Sequence, residues 1–483
     1  YNSSKLEKVV VEEGITNFKI GECAFSDCTK LKSITFPSNN ELKVLEIADY
    51  AFEKTMLESF IVPNSVSVLN LGEGIFYGSS KLTKFNLPLN VNFKTLNVGD
   101  YVFCNTALKS FVVPSSVSNL KIGYKAFSVN VGIKSNLKTF ILPLNANFET
   151  LWISDSAFEG SAISSFIIPN SVSDLQIGYK AFRGCTKLTM FTLPLNVNFK
   201  TLWINDNAFE GSALKSFIVP KSVSDLQIGY KAFKDCGNLA RFRLPSNINF
   251  KNLQISDNAF EGSALTSFIV PENVSSVEIG PDAFRNCICL ITFTLPLNND
   301  IKILKIGNRA FEKSALKSFI VPKSVSDLKI GFYAFRECIN LTKCTLPSKS
   351  ELKTISIGSE AFRRTALESF IVPDNVNVVE IGVGAFGECA KLKKFTLPLN
   401  PEFKKFELGD GAFEKSALKS FTVPGSVSVL RIGRKAFNEC EKLGKFTLSS
   451  DSKFEVLVID LEAFKNSHIT SFIIPKNVKD LVL

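Results

Sequence analysis

A solenoid of stacked, near-identical coils is the fold class this sequence predicts, and three observations predict it. Ala-Phe, with its variants Ile75-Phe76 and Val102-Phe103, recurs on a grid whose steps alternate between 24 and 27 residues: Phe25, Phe52, Phe76, Phe103 and so on to Phe464. The step from Phe127 to Phe158 alone breaks the rhythm, by four extra residues. Between these marks the chain carries short alternating apolar runs, and 17 of its 19 prolines fall at the end of one of them. Lastly, each interval holds more Phe, Leu, Ile and Val than one coil can cover. Burying each such side chain stabilises by roughly 1.5–3 kcal/mol, so neighbouring coils must supply the cover. A fixed period of this size marks a quasi-one-dimensional array.

One coil shows each element. In Ala181-Phe182-Arg183-Gly184-Cys185-Thr186-Lys187-Leu188, the spacing of Ala181, Cys185 and Leu188 predicts one face of a short helical turn. Phe191-Thr192-Leu193 then alternates as a strand buried on one side does, and Pro194 ends it because proline lacks the N–H a longer strand needs. A second alternating run places Phe199, Leu202 and Ile204 inward with Trp203 on the opposite face, and Asn205-Asp206-Asn207 turns into the next Ala208-Phe209. The companion coil repeats this with Ser212 in place of Cys185. The expectation is an α/β, mostly β solenoid of about 18 coils spanning residues 1–483 as one domain, with parallel sheets on two walls joined by short helical turns. Both ends read as cut within a coil, which leads us to expect further protein beyond them.

Composition narrows the function classes. With 56 Lys and Arg against 46 Asp and Glu, the net charge of +10 is modest for 483 residues. The cations are read as distributed, without the basic stripe a nucleic-acid partner requires. No apolar run approaches the ~20 residues that cross a bilayer, and Tyr1-Asn2-Ser3-Ser4-Lys5 does not resemble a secretion signal. The residue after each Ala-Phe reads Glu159, Arg183, Glu210, Lys234, Glu261, Arg285, Glu312, Arg336, a ladder of alternating sign for the edge of the stack. As exposed pairs these would contribute about 0–1 kcal/mol each.

No motif points to catalysis. Cys28, Cys185, Cys236, Cys287, Cys338, Cys389 and Cys440 each lie three residues after the marker Phe, in alternate coils. Two strand spacings separate successive members, ~9.6 Å, too far for a disulfide at a Cα limit of ~7 Å. Free core thiols are expected, and Cys344, in a strand Phe position, joins them. Cys287-Ile288-Cys289 lacks the second pair or His of a metal site. Gly382-Val383-Gly384-Ala385-Phe386-Gly387 matches G-x-G-x-x-G by chance within the repeat, without the full helix a dinucleotide site needs. His468 is the sole histidine, and Asp155, Asp206 and Asp257 recur where Asp favours turns. Neither an enzyme, a cofactor nor a metal is expected.

The unit Ile-Gly-x-x-Ala-Phe-x-x-Cys-x-x-Leu-x-x-Phe-x-Leu-Pro, clean in Ile177 to Pro194, resembles the leucine-rich repeat of the BspA-like type over essentially the whole chain. The resemblance implies a right-handed solenoid with a concave parallel sheet. It further implies a cell-surface or secreted protein engaged in adhesion and protein binding. The strict pairing of Cys coils with Ser or Thr coils, and Phe where the family carries Leu or Ile, depart from its pattern.

On the concave strands, Phe inward leaves Ser165/Ile167, Ser216/Ile218, Ser267/Ile269 and Ser318/Ile320 facing out, with Arg241 and Arg243 on an intervening coil. A partly apolar stripe of this kind marks a docking face; β-branched residues also suit strands for their propensity alone. Trp152 and Trp203, with Gln176 between them, form a second candidate face, since Trp is enriched at binding hot spots; cover by the insertion near Val129 to Ser135 is the alternative. Asn2, Asn273 and Asn340 open N-x-S/T sequons. The expected partner is a protein of host, matrix or surface origin, with self-association into a coat or filament as the other reading.

Overall fold

A computed structural model describes residues 3, 5–38, 41–297, 301–348, 351–449, 454–476 and 478–483. The chain divides into two compact units, Tyr1–Asn247 and Ile248–Leu483. Each unit is a parallel β-solenoid whose coils contribute one strand to each of two walls, except that the coil of Phe464 has no first-wall strand among the described residues. Strands of the first wall are mostly three residues long, such as Ser216–Ile218 and Ser267–Ile269; those of the second wall have four, such as Asp225–Ile228 and Ser276–Ile279.

In the first unit, Ser216–Ile218 pairs in parallel with Arg241–Arg243, Phe217 opposite Phe242. On the second wall Thr201–Ile204 pairs with Asp225–Ile228, Leu202 opposite Leu226. Inward rings form two columns. Phe158, Phe182, Phe209 and Phe233 stack with centroids 5.2–5.3 Å apart and planes within 6°. Phe217 and Phe242 of the first wall stack beside them and meet Phe209 and Phe233 edge-on. Offset-parallel and T-shaped contacts are the two arrangements the ring quadrupole favours, so a Phe column satisfies both at once. The second unit repeats the pattern: Phe260–Phe284 and Phe284–Phe311 both stack at 5.3 Å. There Cys344 takes a first-wall Phe place, buried opposite Phe319.

The short helical turns expected around Ala-Phe are replaced by stacked turns, and no helix occurs among the described residues. Backbone conformation explains the difference. Two residues before each marker Phe and, except at Val129, two after it, the chain is left-handed: φ is 54° at Lys180 and 67° at Gly184 around Phe182, and 57° at Asn207 and 66° at Gly211 around Phe209. An α-helix cannot run through such residues. Instead alternate N–H groups reach the next coil, Lys180 to Asp206 O at 3.0 Å, Phe182 to Ala208 O at 2.7 Å and Gly184 to Glu210 O at 2.7 Å. Ala181, Cys185 and Leu188 are buried together as the spacing predicts, although no helix places them.

Recurrent Asp residues hold this edge. The Asp206 carboxylate accepts from Tyr230 N at 2.8 Å, and Asp155 does the same for Tyr179. Gly229 precedes Tyr230, and a Cβ there would lie 2.6 Å from Asp206 Oδ1. Close approach between coils, not a left-handed φ, therefore fixes glycine in Ile-Gly. The Glu–Arg ladder also forms: Arg183 lies 3.3 Å from Glu159 and 2.9 Å from Glu210, and in the second unit Arg285 lies 3.6 Å from Glu261 and 3.2 Å from Glu312. Glu261 and Glu312 are buried, so these carboxylates depend on their arginines more than exposed pairs would.

Candidate functional site

On the first wall the period-two pleat sends Phe inward and its neighbours out, and pairing aligns those neighbours in two columns. In the first unit Ser165 and Ile167 lie opposite Met190 and Thr192, and Ser216 and Ile218 opposite Arg241 and Arg243. In the second, Ser267 and Ile269 lie opposite Thr292 and Thr294, and Ser318 and Ile320 opposite Lys343 and Thr345. Ile167, Ile218, Ile269 and Ile320 are 46–61% exposed. Arg241, Arg243 and Ser318 are exposed, while Ser216 and Ser267 are half-buried. Ile167 is separated from Ile218 by Thr192, and Ile269 from Ile320 by Thr294, so the named isoleucines recur at intervals of two coils.

The second wall presents the tryptophans of the first unit. Trp152 lies between Lys121 and Gln176, and its Nε1–H donates to the Asp174 carboxylate at 3.1 Å. Trp203 stands opposite Gln227 and is 54% exposed against 38% for Trp152. Asp174 was absent from the sequence candidates, yet alternation places it on the same outward face as Gln176 and could have identified it. The insertion stays with the turn edge, where Val129 N donates to Glu159 O at 3.1 Å, and leaves Val131 fully exposed.

The cysteine column is buried and its thiols are free. It forms a ladder with its Ser partners: Cys236 Sγ donates to Phe209 O at 3.1 Å and lies 3.4 Å from Ser212 Oγ, and Cys287 repeats this with Phe260 and Ser263. This ladder accounts for the alternation of Cys and Ser coils. Burial pushes the Cys236 and Cys287 thiols up to about 12, which removes the thiolate that nucleophilic chemistry needs. Cys289, by contrast, is exposed. Among the described residues no three His, Cys, Asp or Glu side chains gather at a metal-binding distance. Of the sequons, Asn273 already donates its Nδ2–H to Phe250 O at 2.6 Å, Asn340 is exposed, and Asn2 lies outside the described residues.

Two surface features escaped the sequence reading. A groove of 1040 Å³ opens on the first wall of the first unit, over Ser59, Ile61, Lys84, Asn86, Ser110 and Val112. It sits several coils before the isoleucines named above. Beside it begins a ridge: in Leu89-Asn90-Val91 the Asn90 amide turns in to Ser65 O at 2.9 Å, leaving Leu89 and Val91 71% and 73% exposed. Leu195-Asn196-Val197 repeats the device in the same unit, with Asn196 on Ser171 O at 3.1 Å. The proline that opens Pro-Leu-Asn-Val was legible as a strand end; that the apolar residues after it point to solvent was not.

The repeat matches the family described as BspA type leucine rich repeat region, in six copies over residues 1–134, 151–287, 253–380 and 355–482. No match was found among curated proteins. Among solved structures, the chain is similar to a leucine-rich repeat protein from Bacteroides ovatus, 19% identical over 93% of this chain and 83% of that one, with a TM-score of 0.33. It is also similar to a leucine rich cell surface protein from Faecalibacterium prausnitzii, 18% identical over 82% and 91% of the two chains, again with a TM-score of 0.33.

Proposed function

Since the chain belongs to the BspA-type leucine-rich repeat family, we propose that it is a non-enzymatic interaction scaffold of the cell surface or extracellular space. On this reading it docks a protein on the first wall of its coils. One observation carries the reading: Ile167 and Ile218 in the first unit, and Ile269 and Ile320 in the second, stand half-exposed in register on a rigid sheet. Nothing inside the protein requires them there, because the inward Phe on each strand fills the core. Half-exposed isoleucines recurring on one wall favour a protein partner, and Arg241 and Arg243 add a residue type enriched at hot spots. Trp203 provides a second anchor on the opposite wall. Replacing Ile218, Ile269 and Ile320 together with Lys should abolish capture of the partner recovered by wild-type protein from its native surroundings, with thermal stability nearly unchanged. Capture that survives the triple change removes this wall from consideration.

Self-association is the second reading, supported by the Leu89/Val91 and Leu195/Val197 ridge. Light scattering at rising concentration separates the two, since a strict monomer counts against assembly.

A further inference from the structure

We infer that the first wall of the second unit, between Lys317 and Lys445, binds a linear sulfated polysaccharide. The sequence reading took the cations as distributed, but stacking gathers them. Lys343, Lys394 and Lys445 recur 51 residues apart, each one position before the inward residue of a first-wall strand. Register places Lys343 opposite both Ser318 and Ser369, Lys394 opposite Ser369, and Lys445 opposite Ser420. These three lysines therefore share one outward column at two-coil intervals, ~9.6 Å. Lys317, Lys393 and Lys419 occupy the adjoining column, where Lys419 N donates to Lys393 O at 3.4 Å and Thr342 N to Lys317 O at 3.1 Å. All six are exposed.

Five of the six successive coils thus carry a cation, and Glu368 is the single acid in the two columns. Elsewhere in this unit several basic side chains are neutralised: Arg336 lies near Glu312 and Glu360, and Arg364 donates to Glu388 at 2.7 Å. Among the described residues none of the six wall lysines has an ion-pair partner. Like charges held this close on a rigid sheet raise the local anion concentration, and the partner complementary to the array is a stiff polymer with anions at regular intervals. Hydroxyls complete the surface: Ser318, Ser369 and Ser420 alternate with the lysines, and Thr345, Thr422 and Thr447 share the next column with Ile320 and Ile371. These donors suit sulfate oxygens and sugar hydroxyls. Single-stranded nucleic acid is disfavoured, because base binding relies on aromatic platforms and no outward residue of these columns is aromatic.

The assignment uses none of the isoleucines on which the protein-docking reading stands, so either can fail alone. The test measures binding of the whole chain to immobilised heparin, to chemically desulfated heparin and to duplex DNA across a salt series. Wild type should bind heparin with steep salt dependence, and bind desulfated heparin and DNA distinctly more weakly. Lys343→Gln/Lys394→Gln/Lys445→Gln should weaken heparin binding about tenfold. The charge-matched Lys305→Gln/Lys329→Gln/Lys404→Gln, on and beside the other wall of the same unit, should leave it unchanged. Equal losses in the two triples, undiminished binding in the first, or DNA bound as tightly as heparin would overturn the inference.

Discussion

Phe284→Ala tests the packing most directly. The ring is wholly buried, sandwiched between Phe260 and Phe311 at 5.3 Å with planes 6° and 2° off parallel. Phe268 and Phe293 meet it edge-on at 5.1 and 5.4 Å. Truncating a core Phe costs about 3–5 kcal/mol, and four ring contacts of roughly 0.5–1.5 kcal/mol each place this site at the upper end of that range. In a stack where each coil touches only its neighbours, the loss stays local. Hydrogen exchange read by mass spectrometry reports it, because backbone bonds such as Phe284 N to Ala310 O (2.7 Å) and Phe260 N to Ala283 O (2.8 Å) tie these coils together. Opening made easier by about 5 kcal/mol speeds exchange by roughly several thousandfold across the coils of Phe260 to Phe311. The coils of Phe413 and Phe437 should keep wild-type protection. Acceleration below about tenfold at the mutated coil, or an equal rise throughout the unit, would refute the stacked-column account.

Two further outcomes follow from the hydrogen-bond ladder and the edge charges. Cys287→Ala leaves the buried Phe260 carbonyl without its Sγ donor and should cost about 1–3 kcal/mol. Cys287→Ser should cost much less, because Ser79 already donates to Phe52 O at 2.8 Å in the same place; urea midpoints of the two variants would show whether the donor or the sulfur matters. At Glu388, hydrogen bonds from Arg364 and then Arg363 lower the carboxyl from its ordinary 4.5 to about 2. A depressed acid stabilises the fold above pH 4.5 and loses that contribution as pH falls toward 2. Glu388→Gln should thus be modestly less stable than wild type at pH 7, by about 1 kcal/mol or less, because the half-buried carboxylate is still partly screened by solvent. The gap should close between pH 4.5 and 2, and a gap independent of pH would assign the effect to packing.

Much of the coil was legible in the sequence because its determinants are side-chain periodicities. Alternation around Phe191 and Phe217 gave the first-wall strands, and the spacing of Ala181, Cys185 and Leu188 gave the buried side of the turn. Helical geometry in that turn was misread, since inward spacings of four and three residues also arise when left-handed residues such as Lys180 and Gly184 bend the chain. The role of the Cys–Ser alternation was hidden as well. It depends on which carbonyl lies above which thiol, a contact 27 residues away that no local pattern encodes. Site residues divide the same way. Outward Ile218 and Trp203 follow from the pleat, whereas the lysine array and the Leu–Val ridge emerge only when coils 51 residues apart are stacked and their exposed positions compared.

The stacked architecture separates what the repeat must keep from what it is free to change. Inward Phe rings, the Ile-Gly close approach and the Asp206-type cap contact the adjacent coil, so altering one disturbs its neighbours. Outward positions of the first wall lie in register with the same column of the coils above and below. Those columns differ along the chain: Ser216 and Ser267 keep one residue type, while Met190, Arg241, Thr292, Lys343 and Lys394 vary at a single structural position. A position that packs nothing inside can change from Met to Arg to Lys without a core penalty, and the pleat holds each replacement in the same place. On the readings proposed above, the Ser coils carry the recurring isoleucines and the non-Ser coils the residues that vary, whose chemistry shifts from the mixed face around Arg241 in the first unit to the cationic face around Lys394 in the second.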